Sequence, residues 1–292
     1  MALVVASAGA KDRTAACRAL FASGLHAELA ARRFAGLFES GVLDPDGLIV
    51  ATDAGAIRGA MLSYRIGGAQ AAVWPPAADD SAIQDALVAG ALAWIGREPT
   101  KVIQSLVRSV ERPRAAALER AGFRAITSLA FLSRECRGAD ANHRPERLHL
   151  RPMAAYDDAF VTMLLRTYDG TLDVPELNGT RTPEEILAGY HANGPSVRWW
   201  LEWEGETVGL LLLGVPSDDP TVELSYVGLV PEARSRGLGR EAIDIALAEA
   251  ARLARQAVQL NVDVRNEPAL RIYRDRFFRT DDLRELYLRV SE

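Results

Sequence analysis

Apolar positions along the chain alternate in some stretches and recur at helical spacing in others. In the second half, residues 148–150 alternate as a strand does, and Phe160, Met163 and Leu164 mark one face of a helix over 152–168. Thr182 followed by Pro183 is the N-cap and first position of another helix. Residues 199–203 and 207–214 read as a hairpin turning at 204–206, and 222–230 as a strand. Ile243, Ala246, Leu247, Ala250 and Leu253 line one face of a helix over 239–255. A strand over 258–264, a short helix over 268–277 and a strand over 286–290 complete this half. The first half repeats the order: a strand at 2–6, helices at 14–25 and 28–40, strands at 48–52, 57–66 and 69–74, a helix at 81–95, a strand at 102–107, a helix at 114–121 and a strand-like run at 129–132.

Mixed strands and helices in this order predict an α/β (α+β) fold built twice. The two copies are expected at residues 1–136 and 147–292. The segment 137–146 between them has no period, is polar and small, and holds Pro145, so it reads as a linker.

Composition narrows the class. The 292 residues are 49% hydrophobic and 25% charged, which excludes a mostly disordered chain. No apolar run is long enough for a membrane helix, and Lys11, Asp12 and Arg13 interrupt the N-terminal apolar stretch, so no signal peptide is expected. Two cysteines, Cys17 and Cys136, build neither a disulfide framework nor a zinc site, and a cytoplasmic location is the default expectation. The histidines His26, His143, His149 and His191 form no metal pair, so no metal is expected. The halves differ in charge: residues 1–146 carry 17 basic and 15 acidic side chains, residues 147–292 carry 17 and 24. An acidic second half disfavours nucleic acid and suits a cationic acceptor.

One segment of that half departs from its acidity. A strand enters the turn Arg234-x-x-Gly237-x-Gly239 and a helix follows, with Arg236 and Arg240 adjacent. Two glycines before a helix permit close approach of a ligand to the backbone, and the helix start offers N–H groups to an anion such as a pyrophosphate. A plain tight turn or a dinucleotide-binding turn would share part of this pattern. The dinucleotide form is completed only loosely, by Ala242, and the hairpin argues against a parallel sheet.

The run from Val230 to Arg240 resembles the acyl-CoA-binding motif of the GNAT (GCN5-related) N-acetyltransferase superfamily, Arg/Gln-x-x-Gly-x-Gly/Ala. Downstream, Asn266, Ala269 and Tyr273 resemble its second signature, Asn-x-x-Ala-x-x-x-Tyr. Phe277 departs from the Gly-Phe that usually follows. The resemblance covers roughly 148–290 and implies two tandem GNAT-like domains, each a mixed, mainly antiparallel central sheet flanked by helices. It implies acetyl-CoA as acyl donor, with pantetheine along Val227, Leu229 and Val230 and pyrophosphate on the backbone of Arg234, Ser235, Arg236, Gly237, Leu238, Gly239 and Arg240. By the same resemblance Asn266 binds near the pantetheine or orders the strand end, and Tyr273 protonates the leaving thiolate. Glu223 is the candidate base, with Asp169, Asp173 and Glu176 as further candidates.

The first half has a degenerate counterpart of these signatures. Setting Phe123 on Phe278 gives an offset of 155. Carried upstream without a gap, it sets Asp79 and Asp80 against Arg234 and Ser235, Ala82 and Gln84 against Gly237 and Gly239, Glu111 against Asn266, Leu118 against Tyr273 and Gly68 against Glu223. The first copy is therefore expected to keep the fold and lose acyl-CoA, as in tandem-GNAT chains.

The acceptor is expected on the loop 168–181, with Tyr168, Asp169, Asp173, Asn178 and Arg181 as contacts, and one of Trp199 and Trp200 facing the cleft. The expected activity is N-acetylation of a primary amine of a small molecule, amino acid or peptide by direct attack in a ternary complex, by a monomer or homodimer that binds neither nucleic acid nor membrane. A non-catalytic acyl-CoA-binding module and a protein-modifying acetyltransferase are the alternatives.

Overall fold

The computed structural model describes residues 3–21, 27–192, 194–217 and 219–291. The chain divides into two units, one of Met1–Ile126 with Glu285–Glu292 and one of Thr127–Arg284.

In the first unit, β1 (Val4–Ser7) leads to α1 (Arg13–Phe21) and α2 (Ala27–Glu39). Strands β2 (Leu48–Asp53), β3 (Ala56–Gly67) and β4 (Gln70–Val73) follow, then α3 (Ser81–Ile95), β5 (Val102–Arg108), α4 (Arg112–Arg120) and the start of β6 (Arg124–Glu135). β1 to β4 run antiparallel in sequence order, and β4 pairs parallel with β5. Residues 22–26, with the predicted end of the first helix and His26, lie outside the described residues.

The second unit repeats this plan. β7 (His149–Pro152) is followed by α5 (Asp158–Tyr168), α6 (Pro183–Ala192), β8 (Ser196–Trp203), β9 (Glu206–Gly214) and β10 (Thr221–Leu229). Then come α7 (Leu238–Arg252), β11 (Ala257–Asp263), α8 (Glu267–Asp275) and β12 (Arg279–Val290). β7 to β10 are antiparallel, β10 is parallel to β11, and β11 is antiparallel to β6. The predicted helix over 152–168 starts late because Arg151 and Pro152 pair with Trp200 and Trp199 in the sheet, and Asp157 caps the helix through the Phe160 N–H. Leu211, Leu213, Val222 and Leu260 face α7 in one core; Leu210, Leu212, Phe160 and Leu164 form the other. Successive side chains of β9 from Leu210 to Leu213, all buried, thus alternate between the two cores, one on each face of the sheet.

The internal repeat is visible in backbone detail. Ala54–Gly55 and Glu204–Gly205 have positive φ at both turn positions (52° and 80°, 51° and 83°), the two-residue geometry that suits a twisted hairpin. From β5 onward, Val102 answers to Ala257, Arg112 to Glu267 and Arg124 to Arg279, each 155 residues apart with equal element lengths. Upstream the single offset fails. α3 and α7 both have 15 residues, but Ser81 answers to Leu238, 157 apart, because the connection to the next strand is two residues longer in the first copy. β4 has 4 residues against 9 in β10. Asp80, not Ala82, is therefore the counterpart of Gly237, and Ala82 that of Gly239.

β12 is longer than its predicted core, since Arg279–Arg284 is polar yet extended. Its residues divide between the units, as do those of β6. β6 lies mostly in the second unit, where Leu129–Glu135 pairs with β11, although the sequence reading ended the first copy with this strand.

Candidate active site

The parallel pairing of β10 with β11 consists of Thr221, Val222 and Glu223 against Ala257, Val258 and Gln259. Beyond Glu223 the strands part. β10 continues to Leu229 paired with β9, while β11 continues to Asp263 paired with β6. Ser225 is an extra residue in β10, a bulge between Leu224 and Tyr226 that bends the strand and turns its edge. A wedge therefore opens beside Val227, Gly228 and Leu229, whose backbone has no partner from β11.

At the mouth of the wedge, the chain turns through Ser235 (φ 59°) and Gly237 (φ 82°) into α7. Gly237 is the N-cap and offers no side-chain acceptor. The first intrahelical bonds are those of the Arg240 and Glu241 N–H groups to the Gly237 carbonyl, so the N–H groups of Leu238 and Gly239 precede the ladder and complement an anion. A Cβ on Gly237 would lie 3.2 Å from Nη2 of Arg147, in the strained left-handed region.

Only some of the predicted cations face outward. Arg234 turns inward: Nε donates to the Leu229 carbonyl at 3.0 Å and Nη2 to the Thr167 carbonyl at 2.9 Å. It ties the end of β10 to the end of α5 rather than presenting charge. Arg240 pairs with Asp275 at 2.6 Å, and Arg236 lies over the Trp203 ring with Nε on the Glu232 carbonyl. The sequence reading missed Arg147, which donates to the Arg236 carbonyl at 2.8 Å and pairs with Glu241. It lies 89 residues from that carbonyl in sequence, so the motif held no sign of it. Buried Glu241 also accepts the N–H groups of Glu146, Arg147 and Leu148. Burial opposes its ionisation, but those bonds outweigh burial and hold its carboxyl below the usual range.

α8 carries Tyr273, which is buried in one core with Leu224 and Leu229 of β10. Asn266 caps α8, its side chain accepting the Ala269 N–H, which is an ordering role. Tyr273 is 7% exposed, meets Phe278 edge-on at 5.5 Å, and no hydrogen bond joins its hydroxyl to a described residue. Burial pushes its phenol well above the usual value, and the charge of Asp173 adds to this. The hydroxyl is thus a proton carrier, not an anion, at neutral pH.

The loop between α5 and α6 is anchored on the end of β11. Asp173 accepts the Asp263 N–H at 2.9 Å, and fully buried Asp263 accepts from Val174 N–H, Thr127 hydroxyl and Arg265. Arg265 also pairs with Glu176 at 2.7 Å. That pairing removes Glu176 as a base: the Arg265 hydrogen bond holds its carboxyl below the usual range. Asp173 is accessible, yet surrounding protein raises its carboxyl, opposed by the Asp263 N–H. Glu223 is also solvent-accessible and unpaired among the described residues, and desolvation raises it. Asp169 is exposed, and no hydrogen bond or ion pair joins its side chain to a described residue.

A tyrosine cluster that the sequence reading largely missed packs on the α5 and α6 side of the sheet. The Tyr226 hydroxyl shares a 2.6 Å hydrogen bond with Thr167, and its ring lies across Gly228, where a Cβ would come within 2.6 Å of that hydroxyl. Tyr168 meets Tyr226 at 6.2 Å, and Asn178 donates to the Tyr168 carbonyl at 3.3 Å. Of the tryptophans, Trp200 is buried and Trp199 half-buried. The signal for Tyr226 was an aromatic residue two positions before a strand glycine.

In the first unit, the equivalent helix start is closed. Asp80 caps α3, its carboxylate accepting the N–H groups of Ala82 at 2.8 Å and Ile83 at 3.1 Å. Among the described residues no group of three or more His, Cys, Asp or Glu side chains could hold a metal, and no helix could cross a membrane. Burial raises the Cys17 thiol to about 11 and also raises Cys136, so neither is an activated thiolate.

No curated protein matches the sequence. Residues 163–277 match the family model of the acetyltransferase (GNAT) family. Among solved structures, a GCN5-related N-acetyltransferase from Sphaerobacter thermophilus is similar at 14% identity and TM-score 0.67, covering 99% of this chain and 95% of that one. A tandem GNAT protein from the clavulanic acid biosynthesis pathway is similar at 14% identity and TM-score 0.58, covering 99% and 98%. A GCN5-related N-acetyltransferase from Anabaena variabilis is similar at 11% identity and TM-score 0.52, covering 99% and 73%. The whole chain thus has a tandem GNAT fold, and its match to the acetyltransferase (GNAT) family model over residues 163–277 takes in the splayed strands, the uncapped turn and Tyr273.

Proposed function

We propose that the second unit is an acetyl-CoA-dependent N-acetyltransferase acting on a primary amine. The observation that carries this reading is the parting of β10 from β11 beyond Glu223, beside an α7 start with no side-chain cap. The wedge leaves backbone groups of Val227 to Leu229 for a pantetheine, and the turn leaves N–H groups for a pyrophosphate.

The amine nitrogen attacks the thioester carbon, the carbon–sulfur bond breaks, and the thiolate takes a proton. Tyr273 suits that donation because burial keeps its phenol protonated and no described residue holds its hydroxyl. The proton lost by the amine goes to Glu223 or Asp173, accessible carboxylates whose raised affinity for protons fits the task. The transfer is direct, since neither cysteine is ionised. The first unit acts as a scaffold: the Asp80 carboxylate occupies the N–H groups that a pyrophosphate would need.

Thermal shift with acetyl-CoA tests the site. Wild type is expected to be stabilised, and Gly237→Glu to lose the shift while keeping its fold by circular dichroism. Tyr273→Phe is expected to keep the shift and lose most thiol release with an amine panel. A full shift in Gly237→Glu overturns the assigned site; binding without turnover by wild type favours a non-catalytic acyl-CoA-binding module.

A further inference from the structure

Arg181 lies at the end of the loop between α5 and α6, directly before the Thr182 cap of α6. Its Nε is sealed from solvent with no hydrogen-bond partner, and neither a hydrogen bond nor an ion pair joins the side chain to another described residue. This is uncommon in this chain, where most half-buried arginines of the second unit have assigned partners: Arg198 holds the Met153 and Ala154 carbonyls, Arg234 the Leu229 and Thr167 carbonyls, and Arg276 pairs with Asp244. A partly desolvated guanidinium without an acceptor is costly, and a ligand anion would relieve that cost.

The surroundings say where such an anion would lie. The charge of Arg181 acts on Tyr168, whose phenol burial otherwise pushes upward. Tyr168 meets Tyr226 edge-on, and the Tyr226 ring crosses β10 at Gly228 beside the wedge. Asp173 belongs to the same loop and is anchored on the Asp263 N–H at the end of β11. The loop thus carries, at its α6 end, a cation with no partner among the described residues and, at the open end of β11, an accessible carboxylate.

We propose that the acceptor is a zwitterion, an amine that also bears a carboxylate, with Arg181 binding the carboxylate and Asp173 the ammonium group before it loses its proton. The proposal rests on the acetyl-transfer reading and narrows it to amino acids and their close analogues. Arg181 offers a planar fork that matches a carboxylate with two parallel hydrogen bonds. Asp173 is held in place by the Asp263 N–H and would meet the amine close to Tyr273.

The test presents each of the twenty common amino acids beside its decarboxylated amine and its carboxamide. Two readouts are used with wild type and with Arg181→Gln and Arg181→Lys: thiol release with acetyl-CoA, and calorimetric binding to enzyme saturated with CoA. For at least one amino acid, wild type is expected to prefer the free carboxylate by roughly 10- to 100-fold in kcat/KM over both neutral partners, through KM. Arg181→Gln should bring that ratio near one, and Arg181→Lys should restore part of it. Turnover of amines and amino acids with equal kcat/KM overturns the zwitterion while the acetyl-transfer reading stands. Carboxylate-dependent binding without thiol release keeps the zwitterion and overturns the acetyl-transfer reading. No binding or turnover of any amino acid in the panel overturns the proposal.

Discussion

Asp173 accepts the backbone N–H of Asp263 at 2.9 Å, across 90 residues of sequence, and so joins the acceptor loop to the end of β11. Two strands that part need something to hold the open end. Asp263 supplies it by gathering Thr127, Val174 and Arg265 on one fully buried carboxylate. Burial works against its charge, but the Arg265 and backbone bonds outweigh burial and hold its carboxyl below the usual range.

Asp263→Asn should therefore destabilise the second unit by roughly 2–4 kcal/mol at neutral pH, through loss of a buried paired charge. The folded-state pKa is depressed, so this stability is present above the unfolded value near 4 and is lost as pH falls through the folded value. Urea unfolding at pH 7 and at pH 3 checks it: the gap between wild type and variant should shrink on acidification. An unchanged gap would refute the charge-based account.

Asp80→Ala removes a carboxylate that accepts two helix N–H groups. It should cost the first unit about 1 kcal/mol. It should not create acyl-CoA binding there, because β4 ends at Val73 and the counterpart of the longer β10 edge is missing. Calorimetry should find the same single acetyl-CoA site in variant and wild type; a second site would show that the cap alone keeps the ligand out.

Glu223 and Asp173 can be told apart by pH profiles. Each carboxyl is raised, so as a base each would be inactive below its folded pKa and active above it. kcat/KM should rise through a pKa above the ordinary value of about 4.3. Whichever of Glu223→Gln and Asp173→Asn removes that limb and lowers kcat by about 100-fold identifies the base. If both single variants keep the wild-type profile, neither carboxylate takes the proton.

The order of elements, the internal repeat and the glycine turn were legible because each is a local property. Burial periodicity reports which face of a helix or strand turns inward, and Gly237 marks a backbone angle that other residues resist. Asn266 and Tyr273 were legible by their spacing. The misalignment of the first copy upstream of β5 was not, since the two extra residues between α3 and β5 leave the downstream offset of 155 intact.

By itself, the sequence determined two copies of one mixed fold and which copy keeps an uncapped glycine turn. Only the tertiary structure decided the rest. It turned Arg234 inward onto two carbonyls, brought Arg147 to the turn, tied Glu176 to Arg265 and left Arg181 without an acceptor among the described residues. The physical reason is that a side chain's charge is available only if no neighbour has taken it. Those neighbours come from positions far away in sequence, whose approach is set by the register of the strands and the packing of the helices on them.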